Sequence, residues 1–188
     1  MNLHPFIAFE GLSGVGKTTV ARLVAERLGA AYFHIPTGPL ESLRSLADVA
    51  PLDARYFFYL TCVVWTAAEI AGELGCRPVV CDRYLLTTEA YHRALGLTAR
   101  VDYASLAIPW PDLTVLITCD ESERLRRMQK RGMSFNDGQE ERLAVGARFL
   151  QEYRRNPVLE VDSTANDPDQ TACAIVAAII ASRQVSPV

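Results

Sequence analysis

The 188-residue sequence predicts a three-layer α/β fold around a five-stranded parallel sheet, and three observations carry the prediction. Short apolar runs alternate with helix-length patterns from end to end, the signature of βαβ units joined by right-handed crossovers. Runs such as Pro78-Val79-Val80-Cys81 and Leu113-Thr114-Val115-Leu116-Ile117 lack the polar alternation of a half-exposed strand, so both faces of the sheet are covered. The stretch Gly11-Leu12-Ser13-Gly14-Val15-Gly16-Lys17-Thr18 fits the phosphate-binding pattern G-x-x-x-x-G-K-[ST] at every fixed position.

Taken in order, the first strand is predicted over 5–10, from Phe6-Ile7-Ala8-Phe9. The phosphate-binding stretch then opens a helix over 17–28, whose Val20, Leu23, Val24 and Leu28 share a face. A second strand follows over 30–35, then helices over 40–49 and 54–74, the latter strongly apolar. Strand 78–82 precedes helix 86–95, and strand 113–118 precedes helices over 121–131 and 139–154. A last strand, 158–162, leads into helix 168–182, and residues 184–188 are expected to fray. No repeat or low-complexity segment interrupts this order, and residues 1–188 read as one domain of ordinary size. In such sheets ligands bind at the carboxyl ends of the strands. The polar residues gather there: Ser13 to Thr18, His34, Asp82-Arg83 and Asp120.

Composition narrows the partners. A net charge of −3 speaks against nucleic acid or an anionic membrane as the main partner. The apolar stretch Phe57–Ala68 is too short to cross a bilayer, and the strand and loop begin too early for a leader, so a cytoplasmic protein is expected. The five cysteines form no C-x-x-C pair and sit mostly in apolar runs, as buried free thiols do. Only Lys17 and Lys130 are lysines, and one of the two falls where the phosphate pattern requires it.

The chemistry starts at that loop. Glycines let the backbone curl its N–H groups around phosphate oxygens, and the helix N-terminus behind adds partial positive charge. Gly11, Ser13, Gly14, Val15, Gly16, Lys17, Thr18 and Thr19 are therefore expected to hold ATP. Lys17 would reach the β- and γ-phosphates and the Thr18 hydroxyl would hold Mg²⁺. The third strand ends in Asp82-Arg83-Tyr84. There a carboxylate can also hold Mg²⁺, and the arginine can reach a transferring or acceptor phosphate. A surface ion pair at a strand end is the plainer reading of the same residues.

With these segments in place, the chain resembles the thymidylate kinase family, within the wider group of P-loop nucleoside and nucleotide kinases, over most of its length. Phe6 to Thr19 resembles that family's opening strand and loop. Asp82-Arg83-Tyr84 with Thr87-Thr88-Glu89-Ala90-Tyr91 resembles its D-R-Y and S-S-x-A-Y-Q segments. Pro111-Asp112-Leu113-Thr114 resembles its P-D-L-T strand, and Val158 to Asp162 its last strand. The resemblance implies a P-loop kinase fold with a short mobile lid, about 124–140. Arg124, Arg126, Arg127, Lys130 and Arg131 crowd one helix end before Met133 to Gly138. Arginines of a closing lid neutralise the charge of phosphoryl transfer and exclude water. Lys17, Asp82, Arg83, Arg127 and Arg131 are thus the expected catalytic set, with Arg124 on ATP.

Three departures fall in the acceptor pocket. Ser13 stands where the family carries an acid. His34-Ile35-Pro36-Thr37 replaces its R-E-P-G segment, and Leu60-Thr61-Cys62 its A-D-R segment. With two phosphate-holding arginines gone, the reading favours a small-molecule acceptor that presents a hydroxyl, with thymidylate itself a poor substrate. Its pocket would be made of His34, Tyr56, Tyr59, Trp65, Arg83 and Tyr91, with Phe57 nearby. Asp82 is the first choice of base and His34 the second. The alternative is a genuine thymidylate or nucleoside monophosphate kinase that recruits Arg44, Arg55 or Arg93 instead. A nucleotide-dependent switch is disfavoured by the absence of D-x-x-G and N-K-x-D patterns. A homodimer is compatible with each reading.

Overall fold

The five predicted strands form one all-parallel sheet in the order β2-β3-β1-β4-β5. The structure is a computed structural model and describes residues 4–132 and 145–184. The strands are β1 (Phe6–Glu10), β2 (Ala31–His34), β3 (Val79–Asp82), β4 (Leu113–Thr118) and β5 (Leu159–Asp162). Each lies within a residue of its predicted bounds, because a buried parallel strand is marked at both ends by the first polar residue. The helices are α1 (Lys17–Leu28), α2 (Arg44–Asp48), α3 (Leu52–Leu74), α4 (Leu85–Ala94), α5 (Glu121–Arg131), α6 (Val145–Arg154) and α7 (Pro168–Gln184).

Two predictions of helix change in detail. Over 40–49 the chain makes a 3₁₀ turn, Gly38–Leu43, before the short α2. Gly38 sits at φ 59, outside the right-handed helical region, so an α-helix cannot run through it. Of the helix expected over 139–154 only Val145–Arg154 lies within the described residues; of the lid expected over about 124–140, residues 133–140 lie outside them.

Central placement of β1 follows from its sequence: Phe6, Ile7, Ala8 and Phe9 are all buried and offer an apolar surface to both layers. On one face Ile7, Phe9, Val115 and Ile117 pack under α1 and α7, through Val20, Ala21, Val24, Ile175 and Ile179. On the other, Phe6, Ala8, Val79 and Cys81 pack under α3, through Tyr56, Leu60, Val63, Ala67 and Ile70. At 23 residues, α3 is longer than the apolar stretch read from the sequence and has the length and composition of a membrane span. Its buried stripe against the sheet accounts for that character. All five cysteines are free, but only Cys62 and Cys81 are buried. The expectation of buried thiols fails for Cys76, in the turn after α3, and for Cys173, on the outer side of α7.

Register brings the polar strand ends to one level. His34 pairs with Asp82, and Asp82 with Phe9, one residue before Glu10 and the phosphate loop.

Candidate active site

The loop between β1 and α1 is shaped by contacts that only glycine permits. Gly11 has φ 137, and a Cβ there would stand 2.3 Å from the Ile117 carbonyl oxygen. Gly14 has φ 85, and its Cβ would meet Met128 Cγ at 2.6 Å and the Arg124 carbonyl oxygen at 3.0 Å. The loop is thus wedged between β4 and α5. Lys17, almost fully buried, donates from Nζ to the Leu12 carbonyl at 3.0 Å, which curls its ammonium over the loop.

The cleft in front of this loop holds about 470 Å³. It is lined by Ser13, Gly14, Gly16, Lys17, Thr18 and Thr19 from the loop, with His34, Arg44, Arg83, Arg127 and Arg131 around it. Gly11 and Val15 shape the loop from behind: Val15 is buried, and its carbonyl accepts from Ser163 Oγ at 2.8 Å.

Asp82, fully buried at the end of β3, stands behind Thr18 and His34 of the cleft. Thr18 Oγ1 donates to its Oδ2 at 2.5 Å, and His34 Nδ1 lies 3.5 Å from the same oxygen. Burial pushes the Asp82 carboxyl up, but His34, Lys17, Arg83 and Thr18 together outweigh it and hold the group well below the usual carboxylate range. Its Oδ1 is buried without a hydrogen-bond partner among the described residues. A permanently ionised oxygen with an unmet lone pair, beside a threonine hydroxyl, is the hard donor set that Mg²⁺ takes along with phosphate oxygens. The residues fit the ion, and Thr18 and Asp82 are those that would hold it.

Arg83 carries its guanidinium back across the loop, donating to the Gly11 carbonyl and to Ser13 Oγ, each at 3.4 Å. It does so from φ 70, the one non-glycine residue with positive φ among those described. Such a conformation costs on the order of 1–3 kcal/mol and gathers at functional sites.

The arginines of α5 divide. Arg124 was expected on ATP, yet it is 2% exposed, bonded to Glu121 at 2.7 Å and to the Ser13 carbonyl at 3.2 Å. It holds the loop from beneath. Arg127, expected to be catalytic, spends its donors on Glu123, the Val15 carbonyl and Ser163. It borders the cleft as a strut between loop and β5. Arg131, at the end of α5, lines the cleft.

A second pocket adjoins the first, sharing Ser13, His34, Arg44 and Arg83, and continues past Tyr59, Thr87, Thr88, Tyr91 and His92. His34, Tyr59, Arg83 and Tyr91, expected from the sequence as acceptor-pocket residues, all line this second pocket. Tyr56 does not: it is fully buried, with its hydroxyl bonded to Tyr103 and Glu89. Trp65 does not either, because it lies half exposed on the outer face of α3, as does Phe57. Helical periodicity puts Trp65, nine residues after Tyr56, on the opposite face of α3, whereas Tyr56 shares the face of Tyr59 but is drawn inward by its bonds to Tyr103 and Glu89.

Arg83 is not the sole arginine of this second pocket. Arg44 lines both cavities, its Nε 3.6 Å from Asp48 in a half-exposed pair that an incoming anion can outbid. The other two arginines named as substitutes are committed. Arg55 is buried over the Tyr91 ring, and Arg93 binds Glu89 at 2.7 Å and the Leu97 carbonyl at 2.8 Å. His92 was missed altogether. Its signal was positional, one residue beyond the matched Tyr91.

Comparison with known proteins agrees with this geometry. The family model for thymidylate kinase matches residues 9–170. A probable thymidylate kinase of Methanococcus maripaludis (strain C6) is 33% identical over 138 residues, covering 69% of this chain and 67% of the relative. The human mitochondrial UMP-CMP kinase 2 is 33% identical over 137 residues, 68% of this chain and 30% of that protein. The structure of the Candida albicans thymidylate kinase superimposes with a TM-score of 0.78 at 19% identity, covering 96% of this chain and 92% of that one, a likeness of fold.

Proposed function

This chain belongs to the thymidylate kinase family, and on that premise we propose that it moves the γ-phosphoryl group of ATP onto the phosphate of a pyrimidine nucleoside monophosphate, thymidylate foremost. Kinase activity follows from the family; the acceptor is the proposed part. The observation that carries it is the convergence of Arg44 and Arg83 on a pocket that opens directly into the phosphate-loop cleft. Two guanidiniums can neutralise a dianionic acceptor phosphate and hold it by charge-assisted hydrogen bonds.

The state of Asp82 argues the same way. An alcohol acceptor needs a base whose pKa lies near the working pH, and a carboxyl held well below the carboxylate range is a poor one. A phosphate oxygen is already ionised and needs none. Asp82 and Thr18 are then free to serve as ligands of Mg²⁺, which when bound would offset charge on the β- and γ-phosphates. Lys17 and the loop N–H groups would position those phosphates, and Arg131 would approach from the helix end. The similarity to a UMP-CMP kinase supports a pyrimidine acceptor as a class. A homodimer belongs to the proposal, seated on the outer face of α3, where Phe57, Val64 and Trp65 are between 42% and 50% exposed.

The test is ADP release with ATP and Mg²⁺ against thymidylate, deoxyuridylate, deoxycytidylate and thymidine. Thymidylate should reach a kcat/KM of at least about 10⁵ M⁻¹s⁻¹, the range of physiological substrates. Arg44→Met should raise its KM about tenfold or more and leave the KM for ATP in place. Thymidine turned over faster than thymidylate would restore the alcohol-acceptor reading and end this one.

A further inference from the structure

We infer that His92 reads the base of the phosphoryl acceptor, its Nε2 taking a hydrogen bond from a ring N–H; the inference deepens the proposed function and rests on that reading. His92 stands on α4, 2% exposed, at the wall of the acceptor pocket beside Tyr59, Thr88 and Tyr91. Its Nδ1 is 2.6 Å from the Thr88 carbonyl oxygen, one turn back along the helix. A carbonyl oxygen only accepts, so Nδ1 carries the hydrogen and Nε2 of the neutral ring presents a bare lone pair. Burial, reinforced by the Arg55 guanidinium, lowers the His92 pKa to about 4 against the opposing pull of the Thr88 carbonyl, Glu89 and Asp48. The lone pair has no partner among the described residues. Buried acceptors left unpaired are rare in folded proteins, and one at the wall of a ligand pocket points to the ligand.

The family segment resembled by Thr87 to Tyr91 continues with glutamine, where this chain has His92. A glutamine amide offers a donor as well as an acceptor; His92, with its tautomer set by Thr88, offers an acceptor alone. It therefore favours a base whose pairing edge carries a ring N–H, the imide of thymine or uracil. Cytosine puts a second lone pair at the same ring position, and two acceptors facing each other in a dry pocket repel. The rings of Tyr56, Tyr59 and Tyr91 stand 5.4, 6.0 and 5.3 Å from the imidazole, and Nε2 is buried. Tyr59 and Tyr91 line the pocket and are only partly buried, so theirs are the rings a base must shift to reach it.

The experiment compares thymidylate, deoxycytidylate and N3-methyl-thymidylate as acceptors for the wild type, His92→Leu and His92→Gln. Wild type should prefer thymidylate over the N3-methyl analogue by about tenfold or more in kcat/KM, the worth of one hydrogen bond. His92→Leu should lose most of that preference through the thymidylate KM, with kcat and the KM for ATP little changed. His92→Gln should keep thymidylate and gain on deoxycytidylate, because its amide can also donate. A preference for unmethylated thymidylate that survives in His92→Leu would overturn the role of His92 while leaving the function standing. If the folded wild type binds ATP but phosphorylates no monophosphate, the proposed function falls, and the base-reading role with it. Should His92→Leu misfold, equal turnover of methylated and unmethylated thymidylate by wild type suffices to overturn the role.

Discussion

At the scale of single residues, Glu10 shows what burial does to a charge. It ends β1, fully buried, and accepts from the Tyr84 N–H at 3.2 Å and from the Thr87 hydroxyl. Burial raises its pKa to about 7, more than Thr87, Arg83, the Tyr84 N–H and Lys17 lower it. The unfolded chain releases this proton near 4.5 and the folded chain near 7, so stability falls as pH rises between those values and is level above them. The span corresponds to roughly 3 kcal/mol. His92 acts in the opposite sense below about 6.5, so the raw profile mixes the two. Urea denaturation of wild type and Glu10→Gln at pH 5 and pH 8 isolates the acid: the variant should gain relative stability at pH 8. An unchanged difference would mean that Glu10 ionises at its ordinary pKa in the fold. For Lys17 the expectation is kinetic. Its Nζ donates to the Leu12 carbonyl of the loop at 3.0 Å, and Lys17→Ala should fold normally. It should lose about 10²–10³ or more in kcat, the worth of one transition-state donor. Near-normal turnover in a folded Lys17→Ala would remove the lysine from the chemistry.

At the scale of elements, the phosphate loop is held by helices and strands from outside itself. Met128 and Arg124 of α5 lie under Gly14, while Ser163, just past β5, bonds the Val15 carbonyl at 2.8 Å and Arg127 at 3.1 Å. Ser163→Ala removes both bonds at once. It should cost about 1–2 kcal/mol in denaturation and raise the KM for ATP several-fold, while the acceptor KM stays put. Equal effects on both substrates would mean that the loop and the acceptor pocket move as one body. These struts also mark where sequence reading stops. The loop, the five strands and the Asp82-Arg83 pair were legible because each is a local pattern with its own physical requirement. That Arg127 faces Ser163 rather than the cleft depends on residues 36 positions apart, which no spacing rule reports. Tyr56 and Trp65 were misplaced for a related reason: an apolar helix with residues of every size around it gives no strong face to the eye. Arg44 was legible only as one of three substitutes, since its usefulness depends on a 3₁₀ turn that delivers α2 to the cleft.

At the scale of the whole molecule, one face remains to be covered. Phe57, Val64 and Trp65 project from the side of α3 turned away from the sheet, with Thr61 and Ala68 among them, a band of apolar surface larger than scattered exposed side chains make. If a second copy packs there, Trp65→Glu should shift the protein from dimer to monomer in sedimentation at micromolar concentration. A wild type that sediments as a monomer would contradict that assembly. Because α3 also supplies Tyr59 to the proposed acceptor pocket, a dimer would stiffen the wall of that pocket, and the same variant should raise the acceptor KM.

Arg83 couples strain to use in a way that bears on how this sequence can drift. Its φ of 70 suits glycine, so replacement by glycine would relax the backbone and stabilise the fold. The same exchange deletes one of the two guanidiniums that line the proposed acceptor pocket. Selection for heat resistance and selection for turnover therefore pull this codon in opposite directions. A library ranked by thermal survival should accumulate Arg83→Gly, and one ranked by phosphate transfer should return arginine every time. Position 83 is thus a point where a stabilised lineage loses its trade, and where an active one must keep tolerating a bent backbone.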